Sequence, residues 1–125
     1  MAQNILIVDD DVTALDIVAF LFEKKGFVVS RCADGRSAVD YCVRAKPDLL
    51  LVDLLMPELN GVETVKLLRS SGIVAPILAF TAVDDSELHQ EAIKAGCNEV
   101  LTKPCPSERL LKAIGRYIEI DTLTQ

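Results

Sequence analysis

Surplus positive charge is what this chain most plainly lacks. Its 13 Lys and Arg face 19 Asp and Glu, for a formal net charge of -6. Binding a phosphate backbone needs a basic face that releases counterions, so direct nucleic-acid contact is not expected. Long apolar runs are missing too. None approaches the ~20 residues of a membrane span, and no basic segment leads into an apolar stretch at the N-terminus, as a signal peptide requires. Membrane insertion is therefore not expected, and the expected location is cytoplasmic. The four cysteines (Cys32, Cys42, Cys97, Cys105) form no CxxC pair, and histidine occurs once, as His89. Structural zinc needs clustered Cys and His and is not expected on that ground. Disulfide staples are not required by a chain with this much core, so reduced thiols are expected. His89, with no base or nucleophile spaced with it, reads as a residue on a solvated helix face.

What the chain does have is apolar runs of strand length. At 125 residues, 50% hydrophobic and 26% charged, it fits one compact domain. Ile5-Leu6-Ile7-Val8, Leu49-Leu50-Leu51-Val52 and Ile77-Leu78-Ala79-Phe80 are continuous, as in strands buried on both faces of a parallel sheet. Val28 to Cys32 and Val100-Leu101-Thr102 are shorter strand-like segments. Between them lie helical patterns. The first runs from Val12 to Lys25 with Val12, Leu15, Val18, Ala19 and Phe22 on one face, capped by Asp11 and closed by Gly26. Arg36 to Ala45 turns Ala38, Cys42 and Ala45 inward. Val62 to Arg69, a helix capped at Asp84-Asp85-Ser86 and stopped at Gly96, and Ser107 to Ile118 complete the set. Five strands and five helices in strict alternation predict an α/β fold, a parallel sheet covered on both faces.

The apolar runs end in chemistry. Asp9, Asp10 and Asp11 follow the first, Asp53 the third and Thr81 the fourth, while Lys103 follows the last strand and precedes Pro104. Open α/β sheets keep their ligand sites at the C-terminal ends of strands. Carboxylates packed together repel unless a cation is present, and oxygen-only ligands of this charge suit Mg²⁺. A helix cap accounts for Asp11 but not for three aspartates. The set looks like a divalent-metal site beside a phosphorylatable carboxylate, Asp53. Lys103 would then be a directed ammonium that offsets charge on a phosphorylated Asp53, and Thr81 a hydroxyl donor to a phosphoryl oxygen. Met56 is expected to pack, Pro57 to shape the loop, and Gly61 to supply a backbone conformation that other residues avoid.

The runs Ile7-Val8-Asp9-Asp10-Asp11, Asp53-Leu54-Leu55-Met56-Pro57-Glu58-Leu59-Asn60-Gly61, Ala79-Phe80-Thr81-Ala82 and Leu101-Thr102-Lys103-Pro104 resemble receiver domains of two-component response regulators. Their order and spacing agree over residues 3–119, with 120–125 left as a C-terminal tail. The resemblance implies a flavodoxin-like (βα)5 three-layer sandwich with strand order 2-1-3-4-5. It implies that Asp53 accepts a phosphoryl group from a histidine kinase or histidine phosphotransferase and that the domain signals to a downstream protein target by changed contacts. Mg²⁺ would be held by Asp10, Asp53 and the backbone carbonyl of Leu55, with Asp9 acting through water. Thr81 and Lys103 would bind the phosphoryl oxygens, and the Lys103–Pro104 peptide would be cis. On this reading the protein is not a conventional enzyme. It assists only its own phosphorylation and dephosphorylation.

Two features depart from the family pattern. Val100 stands where the family often has a Tyr or Phe that swings inward with the threonine. No output domain follows, which implies a stand-alone regulator or a piece of something longer. A competing reading is a metal-dependent phosphohydrolase with Asp53 as nucleophile. Such enzymes resemble Asp-x-Asp, with the second aspartate as general acid, and Leu55 in that place cannot transfer a proton. A third reading, a scaffold that takes no phosphate, is opposed by the presence of Asp10, Asp53, Thr81 and Lys103.

Overall fold

Every strand of the computed structural model, which describes residues 3–56 and 59–118, runs parallel to its neighbours. β1 (Asn4–Val8), β2 (Val28–Cys32), β3 (Leu49–Asp53), β4 (Ile77–Thr81) and β5 (Glu99–Thr102) form one sheet in the order β2-β1-β3-β4-β5. The helices α1 (Val12–Lys24), α2 (Gly35–Ala45), α3 (Gly61–Ser70), α4 (Ser86–Ala95) and α5 (Ser107–Gly115) alternate with them. This is the flavodoxin-like order expected from the sequence. The last residue of the expected domain, 119, the tail 120–125 and Pro57 lie outside the described residues.

The strands are apolar throughout because both of their faces are buried. Successive side chains on a strand point to opposite faces, and the core divides accordingly. Leu6, Val8, Leu50, Val52, Ile77 and Ala79 meet α2, α3 and α4 through Ala38, Cys42, Val65, Leu68 and Ala92. Ile5, Ile7, Leu49, Leu51, Leu78 and Phe80 meet α1 and α5 through Leu15, Ala19, Phe22, Leu110 and Ile114. The central pairing of β1 with β3 sets Val8 beside Val52, so the residues that follow them emerge at the same rim.

Helix starts follow their caps. Asp11 Oδ1 accepts the N–H of Thr13 and Ala14, and Asp34 Oδ1 that of Ser37. Asn60 and Glu63 form a reciprocal capping box at α3, which makes Gly61 the first helical residue rather than Val62. Helix ends depart more from expectation. Val12 is 63% exposed and Ala45 is also exposed. Both lie in the terminal turn of a helix, where the sheet beneath no longer reaches them. α5 stops at Gly115, and Ile118 continues inward only as a half-buried turn residue. All four cysteines are free thiols. Burial pushes those of Cys42 and Cys97 up to about 12, which makes them unreactive packing residues.

Arg69, in the last turn of α3, was not singled out by sequence pattern, yet it ties three segments together. Its guanidinium donates to the carbonyls of Ile73 (2.9 Å), Ala75 (2.8 Å) and Gly96 (2.8 and 3.1 Å), and to Asn98 Oδ1 at 3.0 Å. Arg69→Ala strands those acceptors, and we expect a loss of about 2–3 kcal/mol in urea melts. Arg69→Lys should recover only part of it, because an ammonium lacks the planar fork that reaches several acceptors at once.

Candidate functional site

The C-terminal rim of the sheet gathers the residues expected there. Asp9 and Asp10 follow β1, Asp53 ends β3, Thr81 ends β4 and Lys103 follows β5. Asp9, Asp10 and Asp53 each offer a carboxylate oxygen, and the three atoms lie within 4.8 Å of one another. Asp9 and Asp53 are buried and Asp10 is exposed, so the cluster is open on one side. A hard, oxygen-only donor set that is partly open to solvent fits Mg²⁺, which keeps several waters. The loop leaving β3 carries Leu55, whose N–H donates to Asp53 Oδ1 at 3.1 Å.

Lys103 reaches into this cluster from the far side. Its Nζ donates to Asp9 Oδ2 at 2.8 Å and stands 3.9 Å from Asp53 Oδ2, above the ring of Phe80. Sequence reasoning placed the lysine beside Asp53. The structure places it first on Asp9, with Asp53 one short swing away. Its own N–H bonds the Thr81 carbonyl at 2.7 Å, and the peptide that follows, to Pro104, is cis.

Asp53 has its pKa pushed up to about 6, above all by burial. The Leu55 N–H and the Lys103 ammonium pull it down, while Asp9 pushes it up. The carboxyl is thus poorly hydrated and poised near neutrality, as a group meant to react tends to be. Beside it opens a cleft of about 490 Å³ between α1 and the β5–α5 loop, walled by Ala14, Ile17, Phe80, Pro104 and Cys105. Ile17 is 65% exposed at its edge.

Gly61 differs from the expectation in its reason. The described glycines with a positive φ are Gly26, Gly72 and Gly96, and Gly61 is not one of them. A side chain there would instead land on the Asp53 carbonyl oxygen and the Leu54 Cα, so glycine lets α3 approach the strand end. Met56 packs as expected.

Thr81 is fully buried, and its hydroxyl accepts the Val83 N–H at 3.2 Å. His89 corrects the sequence reading. It is half-buried rather than solvated, and its Nε2 meets the Val83 carbonyl at 3.1 Å. One signal pointed that way. His89 lies one helical turn after the cap Asp85, on the side where the incoming loop must pass.

The strand order, the acidic cluster and the facing lysine define a receiver-type α/β domain. The description of the response regulator receiver domain matches residues 5–115, and the chain belongs to that family. It is 34% identical over 119 residues to the alkaline phosphatase synthesis transcriptional regulatory protein SphR of Synechococcus elongatus, covering 88% of this chain and 46% of that protein. The chain thus spans about half the length of the transcriptional regulators it matches. Among solved structures, chemotaxis protein CheY4 of Vibrio cholerae superposes with a TM-score of 0.88 at 32% identity, over 94% of this chain and 100% of that one. The receiver domain of sensor histidine kinase PA1611 from Pseudomonas aeruginosa, which holds a magnesium ion in its active site cleft, gives 0.86 at 28% identity, over 94% and 98%. Among the described residues, no helix is long and apolar enough to cross a membrane.

Proposed function

We propose that this receiver domain is a phosphorylation-controlled interaction module of the cytoplasm, with Asp53 as phosphoacceptor. The observation that carries the reading is the convergence of Asp9, Asp10, Asp53 and Lys103 at one strand-end rim. A carboxylate oxygen of Asp53 attacks phosphorus, the P–N bond to a histidine of a kinase or phosphotransferase breaks, and the imidazole nitrogen keeps the electron pair. Asp10, Asp53 and the Leu55 carbonyl would hold Mg²⁺, with Asp9 acting through water. When bound, the dication offsets charge on the transferring phosphoryl oxygens, and its presence in the PA1611 receiver supports the same role here. Lys103 swings from Asp9 to a phosphoryl oxygen, and the Thr81 hydroxyl donates to another. The output is an altered contact with a downstream protein. Incubation with phosphoramidate and Mg²⁺ should add one phosphoryl group by intact mass. A wild-type protein that takes none defeats the reading.

A metal-dependent phosphohydrolase is disfavoured because Leu55 stands where such an enzyme needs its general acid. The same residue predicts a long-lived phosphorylated state. Hydrolysis needs a water lined up opposite the leaving carboxylate. Leu55, 48% exposed, and the half-buried Val83 occupy the two loops beside Asp53, and neither side chain can orient a water. Leu55→Asn with Val83→Glu should speed phosphate loss by ~10-fold, which corresponds to about 1.4 kcal/mol of barrier. A phosphate-release time course on both proteins checks this, and a wild type that loses phosphate within seconds contradicts it.

A further inference from the structure

Val83 lies midway between Thr81 and α4, and side chains take both polar groups of its backbone. Its N–H donates to Thr81 Oγ1 at 3.2 Å, and its carbonyl faces His89 Nε2 at 3.1 Å. A carbonyl oxygen only accepts, so Nε2 is the nitrogen that carries the proton. His89 belongs to α4, whose start is fixed separately by Asp85 through the N–H groups of Glu87 and Leu88. A continuous hydrogen-bonded path therefore leads from a buried hydroxyl at the site to a helix on the outside of the domain. At its outer end, His89 and Val100 of β5 wall an open cavity of about 520 Å³, together with Ile93, Lys94, Asn98 and Glu99.

The Thr81 hydroxyl has one proton and two lone pairs. It can donate to a phosphoryl oxygen on Asp53 while still accepting from Val83, and any movement of the hydroxyl then carries Val83 with it. Val83 cannot move without either dragging or losing His89.

We propose that His89 is a positioning residue that couples α4 to the Thr81 hydroxyl through the Val83 backbone. Phosphorylation of Asp53 thereby reshapes the α4–β5 face without an aromatic side chain at position 100. The inference rests on the phosphoacceptor reading of Asp53. It assigns His89 a task in signal output that a surface histidine would not have.

The test uses the full chain as wild type, His89→Phe and His89→Gln. Phenylalanine keeps the bulk of the ring and removes the donor, while glutamine keeps an N–H donor of similar reach and removes the ring. Each protein is treated with phosphoramidate and Mg²⁺, intact mass reports the adduct, and amide NMR reports residues 86–95. All three should take one phosphoryl group. The phosphorylation-dependent shifts of α4 should match in wild type and His89→Gln and shrink at least ~2-fold in His89→Phe. Equal α4 responses in wild type and His89→Phe, or a His89→Gln response as small as that of His89→Phe, overturn the role of His89 while leaving Asp53 as acceptor. A wild type that takes no phosphoryl group overturns both.

Discussion

Asp53→Asn is expected to abolish the phosphoryl adduct and, unphosphorylated and free of metal, to be more stable than wild type above pH 6. The first effect follows from the loss of the attacking oxygen. The second follows from burial, which raises the Asp53 pKa to about 6 from an ordinary 3.8. A carboxyl raised in this way binds more protons in the folded state than in the unfolded one. Its contribution to stability is complete below the unfolded value and is lost as pH climbs through the folded value. Asparagine carries no charge at any pH and can still accept the Leu55 N–H. The variant should therefore gain up to about 3 kcal/mol over wild type between pH 3.5 and pH 7.5, at about 1.4 kcal/mol for each pKa unit. Urea melts across that range decide it. A constant difference between the two proteins contradicts the argument, as does an adduct that persists in the variant.

Mg²⁺ should stabilise wild type at the same site, by binding rather than by removal of a charge. A dication that binds the folded site and not the unfolded chain stabilises by mass action, about 2.7 kcal/mol at a hundred times Kd. For a domain of this size that is a rise in melting temperature on the order of 10 °C. Asp10→Ala should remove most of the rise. Asp10 is the exposed member of the three carboxylates, so its truncation leaves little cavity, and a lost Mg²⁺ response cannot be blamed on misfolding. Melts with and without Mg²⁺ on both proteins provide the check, and an unchanged response in the variant removes Asp10 from the metal site.

Sequence pattern exposed the site because of a property of parallel sheets. All strands point the same way, so residues that end different apolar runs must share one rim, and Asp9, Asp10, Asp53, Thr81 and Lys103 could be grouped without knowing a single contact. The paired partners were less legible. Lys103 and Asp9 are 94 positions apart in the chain, and whether the ammonium meets Asp9 or Asp53 depends on distances that no periodicity encodes. Arg69 escaped for a related reason, since its acceptors are mainly backbone carbonyls, which have no signature in a sequence. Val12 and Ala45 fit a helical stripe but sit where the helix outruns the sheet. His89 was misread because its partner is a carbonyl of a loop that folds back onto α4.

The clasp made by Arg69 also sets how α4 can move. Two guanidinium N–H groups hold the carbonyl of Gly96, the residue that closes α4, while the opposite end of the helix joins the loop that carries Val83. Ten residues at 1.5 Å each make a rod of about 15 Å with a fulcrum at one end. Such a rod tilts more readily than it slides. A small push delivered near Ser86 would displace the N-terminal turns most and Gly96 least. A partner that sensed this domain through α4 would feel an angle change, greatest at the end where the Val83 loop joins the helix.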